Sequence, residues 1–561
     1  MADETVISEP QPSPAPRKGV WHLLLENPYI FGLSLFASLG GFLFGYDQGV
    51  LTMESFATKF PRIYLDSSFK GWFVSTLLLC AWFGSLVNGP IADFLGRKGS
   101  MLVAVVIFTI GSAFQAGASD IPMLFAGRAV AGFAVGMLTM IVPMYVSEVS
   151  TAGIRGTLVV LQQLSITLGI LYIGGHRCAP DIPYSGGTKD KPTFDPRHDV
   201  GSGGCTGQSD AAWRVPFAIQ IFPAIVLGLG MLLFPESPRF YLMRRKEDKA
   251  LKALAQLRRV HPDTHSLRDE YLAIKAEVLF DEAVNRDKFP GKKGVSLFIA
   301  QHGALVSNWA SFRRLAIGCC IMFFQQFMGC NAIIYYAPTM FAQLGLSGGT
   351  SGLLATGVYG IVNTLSTLPA LFLIDKIGRR PLLMCGAAGT FISLVVVGGI
   401  IGGYGASLAS NKSAGWAGIA FIYIYDINFS FSFAPIGWVL PAEIFNLGIR
   451  SKAMAITTST TWMCNFIIGL VTPDMLSTIG WGTYIFFAAF CLLAFFFTYF
   501  FVPETRGKSL EEMDALFGDT AAYEEKARLM EIASEIGLTD APPDSTIDLA
   551  RKKPATAEHL A

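Results

Sequence analysis

Asp93-Phe-Leu-Gly-Arg-Lys98 and Asp375-Lys-Ile-Gly-Arg-Arg380 are two versions of one six-residue signature, 282 residues apart. They do not repeat alone. Glu148 stands seven residues before Arg155 in "SEVSTAGIRG", and Glu443 stands seven before Arg450 in "AEIFNLGIRS". Pro235-Glu-Ser-Pro-Arg239 returns as Pro503-Glu-Thr-Arg506. Three colinear matches, at offsets of 282, 295 and 268 residues, make the second half an adjusted copy of the first. Each copy holds six apolar stretches of ~20 residues, the length that crosses a ~30 Å hydrocarbon core as a helix. They begin near Tyr29, Gly71, Ser100, Ile121, Thr157 and Ala211, then near Leu315, Ser351, Leu382, Trp416, Ala453 and Gly482. The predicted fold is an all-α polytopic membrane protein of twelve transmembrane helices in two six-helix halves, joined by a cytoplasmic helical linker. Such a duplication places a substrate site near the bilayer midplane, between halves related by an axis along the membrane normal.

The composition agrees. The 561 residues are 52% hydrophobic and only 15% charged, with a mean hydropathy of +0.46. A soluble domain carries nearer a quarter charged residues. A formal net charge of +1 gives no overall field for nucleic acid or an acidic substrate. The pattern divides the chain into a disordered, Pro-rich tail at 1–27, a first half at 28–234, linker helices at 235–310, a second half at 311–502 and a C-terminal tail at 503–561. The first 27 residues read as a polar tail rather than a signal peptide. In the linker, Leu267, Tyr271, Ile274 and Val278 recur at helical spacing.

Lys and Arg set the orientation. "MRRKEDKALKALAQLRRV", "GRKGS", "GIRG", "DKIGRR" and "GIRSK" all fall on one side, which the positive-inside rule makes cytoplasmic together with both termini. The sequon at Asn411 then faces outward as a candidate glycosylation site, whereas the one at Asn428 lies inside a span and is expected to be silent. Cys178 and Cys205 bracket an outer loop and are a candidate disulfide; the other seven cysteines fall in spans, where packing is the default role. Asp93, Arg97, Glu148, Arg155, Glu236, Asp375, Arg379, Arg380, Glu443, Arg450 and Glu504 cluster at cytoplasmic helix ends. They are expected to pair across the two halves as gating charges, because topology alone needs Lys and Arg but not the partnered acids.

Polar residues inside spans are site candidates by default. The seventh span reads "CCIMFFQQFMGCNAIIYYAP", with the amides Gln325, Gln326 and Asn331 in seven residues. A helix break at Gly329 would bring all three to one cavity. Amides offer donor and acceptor together, which suits a ligand dense in hydroxyls, although bundles also use them to bond helix to helix. Gln162, Gln163, Asn363 and Trp438 are further candidates. Trp438 taken alone reads equally as stacking surface, interfacial belt or packing. Asp47 in "GGFLFGYDQGVL" and Arg128 in the fourth span are opposite charges at similar depth, and so are expected to face each other. The arginine can hold the acid ionised and, by moving away, let it take a proton. A purely structural pair at that depth is a poor alternative to apolar packing.

"GRAVAGFAVGMLTMIVPMYVSEVSTAGIRG", "PESPRFYL", "GRRPLL" and "PETRGKSLEEMD" resemble the sugar porter family of the major facilitator superfamily, from about Tyr29 to Phe517. The long loop between Cys178 and Cys205 is similar to that of fungal members. The resemblance implies a twelve-helix fold, alternating access and monosaccharide transport, at the plasma membrane and without a cofactor. It implies sugar-coordinating roles for Gln163, Gln325, Gln326, Asn331, Asn363 and Trp438. It also implies a cavity-lining role for Trp462 and a place near the sugar for Phe44. An acid at position 47 with Arg in the fourth span is associated in the family with proton symport. This chain departs from the family pattern at Ser430, near a position often acidic, and at Thr461, often an amide. It also adds a second intramembrane carboxylate, Asp426.

The function expected is import of a hexose or pentose with a proton, by a transporter working as a monomer. The alternatives are an uncoupled facilitator, a sugar sensor, or a porter for a polyol, quinate-like acid or disaccharide. The short tail after Pro503 disfavours a sensor. No phosphate loop and no metal-spaced His or Cys cluster points to an enzyme, a pump or a metal site.

Overall fold

The computed structural model describes residues 27–47, 56, 59–151, 155–178, 211–292, 294–345, 349–445, 450–506, 517 and 521–537. The described residues are helical, with no strand among them. Ten stretches are long and apolar enough to cross a membrane, and Arg155–Cys178 and Gly349–Thr367 with Ala370–Ile377 complete twelve spans. The first six are Pro28–Ala37 with Leu39–Asp47, Ser67–Leu95, Arg97–Gly117, Ile121–Val149, Arg155–Cys178, and Ala211–Ile219 with Ile221–Leu233. The second six are Trp309–Phe327 with Cys330–Gln343, Gly349–Thr367 with Ala370–Ile377, Arg379–Tyr404, Lys412–Ser430 with Phe433–Ile444, Arg450–Thr478, and Gly482–Phe501.

Local chemistry starts several of these helices. Asp66 caps the second span by accepting the Phe69 N–H at 3.1 Å, and Asp120 caps the fourth by accepting the Met123 N–H at 2.9 Å. Small residues then let spans approach closely, as membrane bundles require. A Cβ on Gly132 or Gly136 would lie 2.3 or 2.0 Å from the Leu77 or Ala81 carbonyl oxygen, so the fourth span presses directly on the second.

The two halves meet along the second and eleventh spans and along the fifth and eighth. The first seam is polar over much of its length. The Ser68 hydroxyl donates to Asp474 Oδ2 at 2.7 Å, Ser75 to the Phe466 carbonyl at 3.2 Å, and Trp82 Nε1 to Ser459 Oγ at 2.6 Å.

Between the halves run Pro238–Met243, Glu247–Arg258, His265–Lys288 and Gly294–Ser307. The periodic face of His265–Lys288 is turned inward, with Leu267 and Val278 buried. A C-terminal helix, Ala521–Glu535, packs on the same linker helix through Leu529 and Ala533 against Ala276 and Phe280.

Gly96 joins the second span to the third at φ 89°, ψ 171°, and Gly378 joins the eighth to the ninth at φ 105°, ψ 165°. This region is open essentially to glycine alone. A Cβ on Gly96 would also lie 2.3 Å from Glu236 Oε2, and one on Gly378 2.6 Å from Glu504 Oε2. Gly96→Ala and Gly378→Ala are each expected to destabilise the protein by about 1–3 kcal/mol, lowering the melting temperature followed by intrinsic fluorescence in detergent. Gly399→Ala, in the ninth span with nothing within 4 Å of its Cβ, is the control and should not lower it.

Candidate functional site

The seventh span breaks at Gly329, which adopts φ 95° between Trp309–Phe327 and Cys330–Gln343. The Tyr425 hydroxyl of the tenth span donates to the Met328 carbonyl at 3.0 Å, occupying an acceptor at the break. The break gathers the three amides into one directional chain. Asn331 Nδ2 donates to Gln326 Oε1 at 2.5 Å, and Gln326 Nε2 to Gln325 Oε1 at 3.5 Å. Gln325 Nε2 donates to the Phe433 and Ala434 carbonyls at 3.0 and 3.2 Å. Those carbonyls lie where the tenth span is itself interrupted, at Phe431 and Ser432. Gly437 fits closely there, since a Cβ would lie 2.5 Å from Gln325 Nε2. Each amide fixed this way keeps hydrogen-bonding capacity for a ligand.

Other candidates lie on the first, fifth, tenth and eleventh spans. Phe44 of the first span meets Trp462 of the eleventh edge-on, with ring centroids 5.0 Å apart, a contact between the halves. Trp438 is half-buried next to Gly437. Of the fifth-span pair, Gln162 is buried against Gly41 of the first span, whereas Gln163 is partly exposed.

Asn363 is tied to a carboxylate rather than to the amide chain. Its Nδ2 donates to Asp426 Oδ1 at 2.7 Å and to Ser430 Oγ at 3.3 Å. Asp426 is 0% exposed. Sequence reading found both residues but not their bond, because 63 residues separate them and only the packing of the eighth span on the tenth joins them.

Asp47 closes the helix Leu39–Asp47, and its side chain lies outside the described residues. Arg128 is 3% exposed, with its guanidinium carbon 4.6 Å from the centre of the Phe73 ring. The first span packs on the fourth. The disulfide candidate also lies outside the description, which excludes Cys205 and the Cys178 side chain. Asn411 is exposed where the ninth span gives way to the tenth.

The helix-end charges form two clusters with one geometry. In the first half Arg97 Nη2 meets Glu148 Oε1 at 2.9 Å, and Arg97 Nη1 donates to the Ala92 carbonyl at 3.3 Å. The Arg97 and Lys98 N–H groups donate to Glu236 at 3.1 and 3.0 Å, and the Ser237 hydroxyl donates to Glu148. In the second half Arg379 Nη2 meets Glu443 Oε1 at 2.6 Å, and Arg379 Nη1 donates to the Ile374 carbonyl at 2.9 Å. The Arg379 and Arg380 N–H groups donate to Glu504 at 3.0 and 3.1 Å, and the Thr505 hydroxyl donates to Glu443 at 2.6 Å. Asp93 adds a 3.6 Å contact to Arg97. Burial pushes the Glu236 carboxyl upward from its ordinary value, against the lowering by the N–H groups around it. Across the halves, Lys452 of the eleventh span attracts Asp93, whereas the Arg97–Glu148 and Arg379–Glu443 pairs are internal to their halves. Among the described residues these ion pairs close within each half, because each arginine sits at the start of a span whose packing partners belong to its own half. The side chains of Arg155, Asp375 and Arg450 lie outside the described residues.

A family model described as "Sugar (and other) transporter" matches residues 33–517. A probable quinate permease of Aspergillus flavus is 32% identical over 528 residues, covering 91% of either chain. A probable glucose transporter of Neurospora crassa is 33% identical over 509 residues, covering 86% of this chain and 78% of that one. Among solved structures, the proton:xylose symporter XylE bound to 6-bromo-6-deoxy-D-glucose aligns with a TM-score of 0.67 at 28% identity, over 87% of this chain and 99% of that one. The partially occluded, inward-open form of XylE from E. coli aligns with a TM-score of 0.65 at 28% identity, over 86% and 100%.

Proposed function

Because the chain belongs to the sugar porter family, and is thus a multi-pass membrane transporter rather than an enzyme, we propose that it imports a hexose or pentose together with a proton by alternating access. The observation that carries this reading is the amide chain of Gln325, Gln326 and Asn331, with Trp462 and Phe44 closing an aromatic contact between the halves. A sugar ring offers hydroxyls to the amides and C–H faces to the aromatics. Gln163, Asn363 and Trp438 complete the binding set, and Asp47 with Arg128 carries the proton. The transporter works as a monomer in the plasma membrane, with both termini cytoplasmic and Asn411 outside. The helix-end clusters keep the inner ends of each half rigid, so that the halves rock as bodies.

A second reading has support from the names of several Aspergillus relatives, probable quinate permeases: a quinate-like acid as substrate. Uptake of labelled hexoses, pentoses and quinate by a host lacking its own transporters separates the two. Saturable sugar uptake that quinate fails to inhibit supports the sugar reading; uptake of quinate alone refutes it. Gln326→Ala removes the middle of the amide chain and is expected to raise KM for the carried sugar at least about tenfold, since two polar partners lose their match. An unchanged KM would remove the amide chain from the binding site.

A further inference from the structure

Asp426 is a carboxylate to which the proposed transport cycle assigns no task. It is wholly buried in the tenth span. Tyr359, one turn before Asn363, brings its buried hydroxyl beside it. Cys330 stands nearby. No Lys or Arg is among the groups that act on the carboxylate among the described residues. A buried acid in such surroundings is costly, so its bond to Asn363 needs a reason.

That bond decides which end of the Asn363 amide remains available. Nδ2 has two hydrogens, one directed to Asp426 Oδ1 and the other toward Ser430 Oγ. Turning the amide over would set its carbonyl oxygen against a carboxylate oxygen, lone pair against lone pair. The orientation is therefore held, and Oδ1 is left as a buried acceptor with no protein partner. Only a hydrogen-bond donor can satisfy it. A sugar hydroxyl donates; a carboxylate, an ether oxygen or a fluorine does not.

We infer that Asp426 is a positioning residue for specificity: it locks the Asn363 amide so that this position accepts a hydrogen bond from a substrate hydroxyl and rejects groups that only accept. The inference rests on the sugar reading above and narrows it, since it requires a neutral, hydroxyl-donating substrate at the eighth span. A packing role for Asp426 would change expression or maximal rate but not the choice between donor and acceptor groups.

The test is competition for uptake by monodeoxy and monofluoro-deoxy analogues of D-glucose and D-xylose, taken one hydroxyl at a time. In the unaltered protein, one hydroxyl position should lose at least about tenfold in competition on both deoxy and fluoro replacement, because fluorine cannot donate. Asn363→Ala should abolish that discrimination at the same position. In Asp426→Asn the neighbour no longer dictates the amide's orientation, so the fluoro analogue should recover several-fold relative to the deoxy one. Two results overturn the inference: an unaltered transporter that tolerates fluorine at every position, or an Asp426→Asn transporter that keeps the original fluoro-to-deoxy ratio. If Asp426→Asn does not reach the membrane, the analogue series on the unaltered protein and on Asn363→Ala decides. Transport of no hexose or pentose is a different failure, one that removes the sugar reading and this inference with it. Sugar transport with an unchanged ratio removes only the inference.

Discussion

Asp47→Asn is expected to leave a transporter that equilibrates sugar but never concentrates it. The membrane supplies ~2.3 kcal/mol for each elementary charge moved through 100 mV. At ~1.4 kcal/mol per tenfold, one coupled proton can sustain about fiftyfold accumulation at that potential. Asparagine keeps the shape of the side chain and removes the proton it carries. The steady-state ratio of a non-metabolised labelled sugar should fall to about one, while exchange of internal for external sugar continues. Asp47 ends the described helix of the first span, and Arg128 lies buried in the fourth span, over the face of Phe73. A charge inside a span is costly unless it is paired, and Asp47 is the one acid in the sequence of the adjoining first span. Accumulation that survives Asp47→Asn would transfer the coupling role elsewhere, and unaltered protein with a ratio of one at every potential would make this chain a facilitator.

What was legible in the sequence differs from level to level for physical reasons. Span number and duplication were readable because hydrocarbon thickness imposes length and composition on every span. The break at Gly329 was readable too, since glycine amid clustered amides marks a place where a helix can yield. The matching interruption at Phe431 and Ser432 was not, because no glycine announces it and the amide that bonds the Phe433 and Ala434 carbonyls just beyond it, Gln325, comes from another span. The close approach at Gly132 and Gly136 lay in a quoted motif, yet its partners Leu77 and Ala81 belong to a different helix. Pairings within each half are hidden for the same cause. Arg97 and Glu148 were both named, but 51 residues lie between them, and only the packed half decides that they meet. Asp426 stands out in the sequence as an intramembrane carboxylate, while its hold on Asn363 depends on two spans lying side by side.

Arg97→Met should be among the most damaging single changes in the cytoplasmic clusters, and its counterpart Arg379→Met a milder one. The Arg97 side chain is 2% exposed and its partner Glu148 8%, against 10% for Arg379 and 28% for Glu443. Removing one member of a buried pair leaves an uncompensated charge, a loss of about 3–5 kcal/mol. Glu148 would keep the Ser237 hydroxyl but no bidentate guanidinium. The wetter second cluster recovers part of its loss through water. Arg97→Met combined with Glu148→Leu should restore much of the stability, because apolar side chains of similar volume often replace buried ion pairs at little cost. Thermal unfolding of the purified protein measures all three variants. These pairs close within one half, so the single variants should lower the melting temperature more than they shift the balance of inward- and outward-facing forms. A melting temperature that holds steady while cytoplasmic accessibility to a cysteine reagent changes would show the reverse: the clusters would then act on the gate, not as staples inside each half.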